Sequence, residues 1–543
     1  MTDLMDFPLS VFPIPPEVGE RQLLSALRSL GFRPGRRRAV RRLETFHDTQ
    51  DGRLYRAGLS LARSEPGEAW HLLSDSGGCV ARGSGEADAP APDGPVARAL
   101  GVTTAGRPLV PVLRLHFAGE AVALRGGGDI VARLEVGQVS FAAPWHPGRE
   151  ARARVAAVGI EHRGGASLDP APALRRLGLA PWPACPVGPG LDLLGLPLPG
   201  APVPPAFHLG PDDDAATAAR KILGRQWFKM DANTEGAVRD LDPEFVHDLR
   251  VATRRARAAL RVFRGVVEER RSEWYRRELA WLASALGAVR DLDVLAGRMR
   301  DHALRVAAPA AVASRIAEVL AARRAPAMVV LERALRGGRY RRLLEALRSG
   351  VGVGRGGDAR VAGAAPAREL APVRTRAAGK RVERTLREGG ERPSAEALHA
   401  ARIAFKRLRY ACEFFADLHD GEARESIRRL VEIQDCLGRH QDAVVAEAVL
   451  RDVLNAERAS GDADTLVTLG ALIQLQRDEA GREREKFSEL RLGLPRIVKR
   501  VRRASRVGRD GSPPSEPETG RRVPVSPRIP AVGGGRRRTP DTR

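Results

Sequence analysis

The 543-residue chain is poor in aromatic side chains, 4% of the total, and contains four cysteines. So few rings argue against a protein that holds single-stranded nucleic acid by stacking bases, which needs aromatic platforms along the strand. Cys79, Cys185, Cys412 and Cys436 show no CxxC or other finger spacing. That spacing excludes a zinc finger and leaves ordinary reduced thiols, as expected of a cytoplasmic protein; no metal site or cofactor is expected. The opening MTDLMDFPLS lacks the basic and apolar regions of a secretory signal. Long apolar runs are missing too. The longest uncharged stretch, Leu193 to Gly210, is interrupted by Pro197, Pro199, Pro202, Pro204 and Pro205, so it reads as a linker and not as a membrane span.

Negative charge is also in deficit: 67 Asp and Glu face 90 Lys and Arg, a net charge of +23 and a pI near 11.1. Such a balance implies an anionic partner, whether nucleic acid, phosphate polymer or membrane surface. Lysine is nearly absent while Arg, Ala, Gly and Pro abound, as a GC-rich genome would encode for any function. Charge alone therefore does not decide between function and coding bias.

A duplicated segment does. VHDLRVATRRARAALRVF, from Val246 to Phe263, returns as LHAARIAFKRLRYACEFF, from Leu398 to Phe415. Each copy sets basic residues three, seven, eight and ten positions after a histidine: His247, Arg250, Arg254, Arg255, Arg257, then His399, Arg402, Lys406, Arg407, Arg409. At about 100° per residue, the histidine and the residues at +3, +7 and +10 share an arc of roughly 80°. The opposite arc carries Leu249, Ala252, Ala256, Leu260 and Phe263 in one copy and Ala401, Ala404, Leu408, Cys412 and Phe415 in the other. Each helix thus has one face for a core and one for an anion. Asp242 with Pro243, and Ser394 with Glu396, are N-cap arrangements five positions before each histidine. Downstream, Leu286-Gly287-Ala288-Val289-Arg290-Asp291 is echoed by Leu437-Gly438-Arg439-His440-Gln441-Asp442, so the repeat is a multi-helix unit.

The organisation follows from pattern changes. A helix over Glu17 to Leu30 precedes period-two, glycine-punctuated segments from about Val40 to Glu161: LSLARS, AWHLLS, LVPVLRLHFAG, EAVALRG, DIVARLEVGQVSF and ARVAAVGIEH. These predict an antiparallel β domain over residues 1–170, with a short helix near Pro170 to Leu177. A Pro/Gly-rich linker is expected over 171–211. Residues 212–500 read as helical, with breaks at Asp240 to Pro243, near Pro309, at Gly350 to Gly363 and at Gly389 to Ser394. Residues 501–543, rich in Arg, Pro, Ser and Gly, read as a disordered basic tail. The fold class is α+β and multidomain: a tunnel-like antiparallel β domain, then an all-α domain of two pseudo-symmetric bundles.

The paired H-x2-R-x3-[RK]-R-x-R helices, each followed by Leu-Gly-x3-Asp, resemble the conserved histidine α-helical domain, CHAD, over roughly residues 212–500. The resemblance implies binding of inorganic polyphosphate and association with polyphosphate granules in the cytoplasm. Its site would comprise His247, Arg250, Arg254, Arg255, Arg257 and Arg261 in one half and His399, Arg402, Lys406, Arg407 and Arg409 in the other. Glu413 stands where Arg261 stands in the first copy and should weaken the second stripe at that end. A second phrase, ETFHDTQDGRLYRAGLSL from Glu44 to Leu61, is similar to a segment of the CYTH, or triphosphate-tunnel, family. That family hydrolyses triphosphates or builds cyclic AMP with an E-x-E-x-K motif and further basic residues. Here Phe7 to Val11 occupy the place of that motif, Leu61-Ala62-Arg63-Ser64 replaces Leu-Arg-x-Arg, and Asp75 replaces a lysine. Phosphoryl chemistry needs clustered carboxylates and fixed cations, so no catalytic residues are expected.

Alternatives can be weighed on the same residues. A solvated helix face explains one basic stripe better than two in identical register, and only Glu413 interrupts them, so pairing within the helix is not expected to neutralise them. A metal at His247 and His399, with His440, lacks Cys or carboxylate at ligand spacing; the histidines fit better as phosphate donors or orienting groups that gain charge as pH falls. Nucleic-acid binding is the main rival, and weak binding of this kind is expected of the basic tail. Residual triphosphatase activity is the third reading.

Overall fold

A computed structural model describes residues 9–65, 69–74, 79–84, 94–126, 129–144, 148–160, 169–182, 185–196, 205–350, 362–390, 393–418, 421–458 and 462–493. Phe7, Asp75 and the basic tail lie outside them. The N-terminal part is an eight-stranded antiparallel sheet of β1 (Leu9–Pro13), β2 (Arg33–Asp48), β3 (Leu59–Glu65), β4 (Ala69–Ser74), β5 (Cys79–Ser84), β6 (Val110–Gly126), β7 (Asp129–Ala142) and β8 (Glu150–Ile160). Its order is β1-β8-β7-β6-β2-β3-β4-β5. Helices α1 (Glu20–Ser29), α2 (Arg53–Arg56), α3 (Gly94–Thr104), α4 (Ala171–Arg176) and α5 (Val187–Leu194) pack around it.

Two expectations need correction. LVPVLRLHFAG and EAVALRG are one continuous strand, β6, because Gly119 serves a close approach and not a turn. It pairs with Gly137 on β7, and a Cβ at Gly119 would meet the Val136 carbonyl at 2.3 Å and the Phe117 ring at 2.9 Å. Within the Pro/Gly-rich stretch, Pro186 and Gly195 (φ +64°) begin and end α5, whose Val187, Leu191 and Leu194 are buried with Phe46, Phe117 and Phe141 of the sheet. That segment is core and not linker.

The Glu44 to Leu61 phrase forms the end of β2, a tight turn, α2 and the start of β3. The Asp48 carboxylate accepts the backbone N–H groups of Thr49 (2.6 Å), Leu54 (2.9 Å) and Tyr55 (2.9 Å), and Gly58 takes a positive φ of +70° before β3. Its Asp-Thr pair is therefore turn chemistry. The turn also reaches the helical half: the Gln50 amide donates to Asn233 Oδ1 at 2.9 Å and to Asp248 Oδ2 at 3.0 Å.

Nine longer helices follow among the described residues: α6 (Ala215–Val238), α7 (Pro243–Val262), α8 (Glu269–Arg305), α9 (Ala310–Arg336), α10 (Gly338–Ser349), α11 (Ala367–Glu388), α12 (Ala395–Phe414), α13 (Gly421–Glu457) and α14 (Ala463–Leu492). Ala215 and Ala367, Asp242 and Ser394, and Glu269 and Gly421 stand 152 positions apart and mark the starts of equivalent helices. Contacts across the halves are reciprocal. Ala215 N donates to Ala365 O and Ala367 N to Asp213 O, both at 2.8 Å. Phe263 meets its own counterpart Phe415, both fully buried, with ring centroids 5.7 Å apart. The far ends of α8 and α9 share an apolar cluster with α13 and α14, including Leu295, Ile316, Leu450 and Leu472. A pseudo-twofold axis thus relates the two helical halves.

Candidate polyanion-binding site

Both motif helices begin where their caps require. The Asp242 carboxylate accepts Glu244 N–H at 2.8 Å with Pro243 in the first turn, and Ser394 Oγ accepts Ala397 N–H at 3.2 Å. Every residue expected on the core faces is buried, from Leu249 to Phe263 and from Ala401 to Phe415. Cys412, on that face, has its thiol pushed up to about 12 by burial. With these faces turned inward, α7 and α12 pack side by side and their basic residues meet.

Lys406 marks the meeting point. Burial, then the guanidiniums of Arg402, Arg254, Arg250 and Arg409, hold its ammonium down to about 7. Arg402 is likewise lowered by burial and by Arg254 and Arg250, against the pull of Asp442 and Asp291. Two of these cations belong to the first helix and three to the second. At a separation of about 7 Å and an effective dielectric near 20, each like-charge pair repels by ~2 kcal/mol.

Carboxylates offset part of this cost, and most come from other helices. Arg250 pairs with Asp291 of α8 at 3.0 Å. Asp442 of α13, its counterpart in the repeated Leu-Gly-x3-Asp, lies beside Arg402 and reaches Arg298 at 3.9 Å. Glu413 does more than interrupt a stripe: it binds Arg255 of α7 at 2.6 Å and Arg409 of its own helix at 2.9 Å. Pairing within a helix, not expected to neutralise the stripes, does engage Arg409. Arg255, Arg254 and Arg409 also lie over the Tyr410 ring at 5.5 to 5.9 Å. Arg255 and Arg409 are therefore held between the helices, whereas Arg254, Arg402 and Lys406 form the cationic centre.

Toward the C-terminal end of α7, Arg257, Arg261 and Arg407 form no ion pair with a carboxylate among the described residues. Arg261 is lowered by burial and by Arg407 and Arg257; Arg407 is lowered by burial and Arg381. The histidines lie at the other end. His399 Nδ1 is 3.1 Å from Gln441 Oε1. His247 is lowered by burial and by Arg290, the counterpart of Gln441 on α8, with Glu244 and Asp248 opposing. Among the described residues, no group of three or more His, Cys, Asp or Glu is placed to hold a metal ion.

Sequence reasoning missed Lys229 and Arg381, which stand 152 positions apart on α6 and α11. Lys229 is lowered by burial and by Arg255 and Arg225, and Arg381 acts on Arg407, the counterpart of Arg255. The repeat offset, carried one helix upstream, was the available signal.

Fold and site define a duplicated helical module whose two basic helices converge on one cationic surface. Residues 221–451 match the CHAD domain family, so the chain carries a CHAD domain. Two curated proteins of Mycobacterium tuberculosis, from strains CDC 1551 / Oshkosh and H37Rv and both described as uncharacterized, are 36% identical over 283 residues. The match covers 49% of this chain and 51% of theirs, so the chain spans about half the length of the curated relatives it matches. Among solved structures, the CHAD domain from the plant Ricinus communis is 26% identical with a TM-score of 0.44, covering 53% of this chain and 94% of that one. PptA from Streptomyces chartreusis is 20% identical with a TM-score of 0.42, covering 52% and 100%. No helix among the described residues is long and apolar enough to cross a membrane.

Proposed function

We propose that the helical half captures inorganic polyphosphate electrostatically, without bond chemistry, and that this carries the protein to polyphosphate granules. The observation that supports it best is the convergence of Arg250, Arg254 and Arg402 on Lys406. Half-buried like charges are costly in the free protein, and a chain of phosphates would relieve that cost while accepting bidentate hydrogen bonds from arginine. The CHAD family is linked in general to polyphosphate binding. The rival, nucleic acid, is less well served. Tyr410 and Phe414 are 3% and 4% exposed beneath guanidiniums and present no ring to a base. Competition on the full chain at physiological salt is expected to favour long polyphosphate over duplex DNA at matched phosphate by more than about tenfold. Equal or stronger DNA binding would refute the reading.

The β domain, in this reading, does not turn over triphosphates. Val11, Ala62 and Ser64 fall in register with the face that carries Phe46, Phe117 and Phe141, and α5 and Trp182 fill that face. The acids on it are already engaged: Glu135, fully buried, binds Arg42 at 2.5 Å and Arg133 at 2.6 Å. Glu44 is pushed up by burial and by Glu135, with Arg42 opposing. Phosphate release from tripolyphosphate with Mg²⁺ or Mn²⁺ is expected to equal that of a heat-denatured control; metal-dependent turnover would overturn this part. For localisation, a fluorescent fusion of the chain should form foci on granules in polyphosphate-storing cells and lose them when polyphosphate synthesis is blocked. Foci that persist without the polymer would count against granule capture.

A further inference from the structure

The outer face of the β-sheet, opposite the face filled by α5, changes character along its length. At one end α1 and α4 cover Leu124, Leu134, Ala156 and Val158. At the other side α3 covers Leu61, Trp70 and Leu72. Between these covers the outward residues of four neighbouring strands become basic and polar. Arg41 of β2, Gln138 of β7 and Arg154 of β8 align in one row, with Ala118 of β6 between the first two. His116 of β6 and Arg152 of β8 occupy the next row, and Arg114 of β6 the one after, with the acid Glu150 at the β8 end of that last row. All six side chains are exposed.

We propose that this window is a second phosphate-polymer surface, which engages a stretch of the same polyphosphate chain that the helical site binds; it rests on that reading. Charge complementarity supports it. Among the described residues Arg41 and Arg114 pair with no carboxylate, Arg154 donates only to the Val18 carbonyl at 3.0 Å, and Arg152 has Glu150 no nearer than 3.9 Å. Elsewhere the same sheet face neutralises its arginines, as where Arg37 binds Glu20 at 2.7 Å and Glu120 at 3.1 Å. Strand spacing places Arg41 about 14 Å from Arg154, and successive rows lie about 7 Å apart, so an extended chain of phosphates can meet several arginines at once. Gln138 adds a neutral donor for phosphate oxygens, and these rows carry no Phe, Tyr or Trp, leaving the His116 imidazole as their one ring.

Arginine-directed dicarbonyl modification of the intact chain, followed peptide by peptide with and without long polyphosphate, tests this. Modification of Arg41, Arg152 and Arg154 is expected to slow by at least about threefold, alongside Arg254 and Arg402. Protection of the helix arginines with none on the sheet overturns the inference and leaves the helical site standing. Absence of protection on the helices overturns the helical reading instead. Protection of the sheet by duplex DNA but not by polyphosphate assigns the window to nucleic acid and overturns it also. As an independent measurement, R41Q, R114Q, R152Q and R154Q combined in the full chain should weaken long polyphosphate about three- to tenfold and leave tripolyphosphate binding unchanged. Unchanged affinity for the long chain in that folded variant would contradict the proposal.

Discussion

Exchanging Arg250, Arg254, Arg402 and Lys406 together for glutamine is expected to lower polyphosphate affinity about 10³-fold at physiological salt while leaving the chain as stable as before, or more so. A charge-assisted hydrogen bond contributes about 1.5–3 kcal/mol, and four that act on one ligand combine less than additively, so a loss near 4 kcal/mol is a conservative sum. The dependence of log affinity on log salt should flatten by about 3, since roughly 0.7 to 0.9 of a counterion is released for each phosphate neutralised. Stability separates function from architecture. The four cations repel one another around Lys406, and the two with carboxylate neighbours, Arg250 and Arg402, use Asp291 and Asp442, which stay partly solvated. Arg255 provides the contrast. It is 20% exposed, bound to Glu413 and stacked on Tyr410 and Phe414, so R255Q should cost about 1–2 kcal/mol of stability and change affinity little. Urea unfolding and titration with polyphosphate of defined length measure both. A quadruple variant that binds like the parent, with native circular dichroism, would sink the assignment.

That contrast also shows how far the sequence could be read. The spacing of His247 to Arg257 and of His399 to Arg409 specified two amphipathic helices, their caps and their buried faces, because helical periodicity and capping are local properties. It placed Arg255 and Arg257 alike in the basic set. Only packing distinguishes them: at eight positions past His247, Arg255 sits off the shared arc and turns toward α12, where Glu413 receives it. Convergence on Lys406 depends on the pseudo-twofold, whose contacts, such as Phe263 on Phe415 and Ala215 on Ala365, pair residues far apart in the chain. The counter-charges Asp291 and Asp442 were visible as a repeated motif, but not their task. In the β domain, strands with clean alternation such as β7 and β8 were legible. β1 and β5 are short, and Pro/Gly-rich α5 carries the residues usually taken as linker signals, here used as helix start and stop. Glu413 illustrates the general point: a break in a repeat read as weakness becomes, in three dimensions, the clamp that joins two like-charged helices.

Polyphosphate affinity is expected to fall as pH rises through neutrality, by about tenfold between pH 6 and 8, and Lys406 is the cause. Its ammonium is held down to about 7 by burial and by Arg402, Arg254, Arg250 and Arg409, against 10.5 for an ordinary lysine. Bound phosphates would favour the charged form, so binding takes up a proton above pH 7, and a return of the bound pKa to about 9 gives the tenfold figure. The effect on folding has a defined sign. Between about pH 7 and 10.5 the unfolded chain holds more protons on this group than the folded one, so its destabilising contribution is complete below pH 7 and shrinks as pH rises. Affinity and stability of the free protein should therefore move in opposite directions across this range. Other titrating groups near the centre act elsewhere: His247, lowered by burial and by Arg290, gains charge only under more acidic conditions. K406R keeps a cation that stays charged throughout, so it should bind at pH 8 about as tightly as at pH 6, while K406M should bind weakly at both. Titrations of the three proteins with long polyphosphate, whose internal phosphates stay ionised over this range, make the comparison. A K406R profile that falls as steeply as that of the parent would assign the pH dependence to another group and remove Lys406 from the centre of the site.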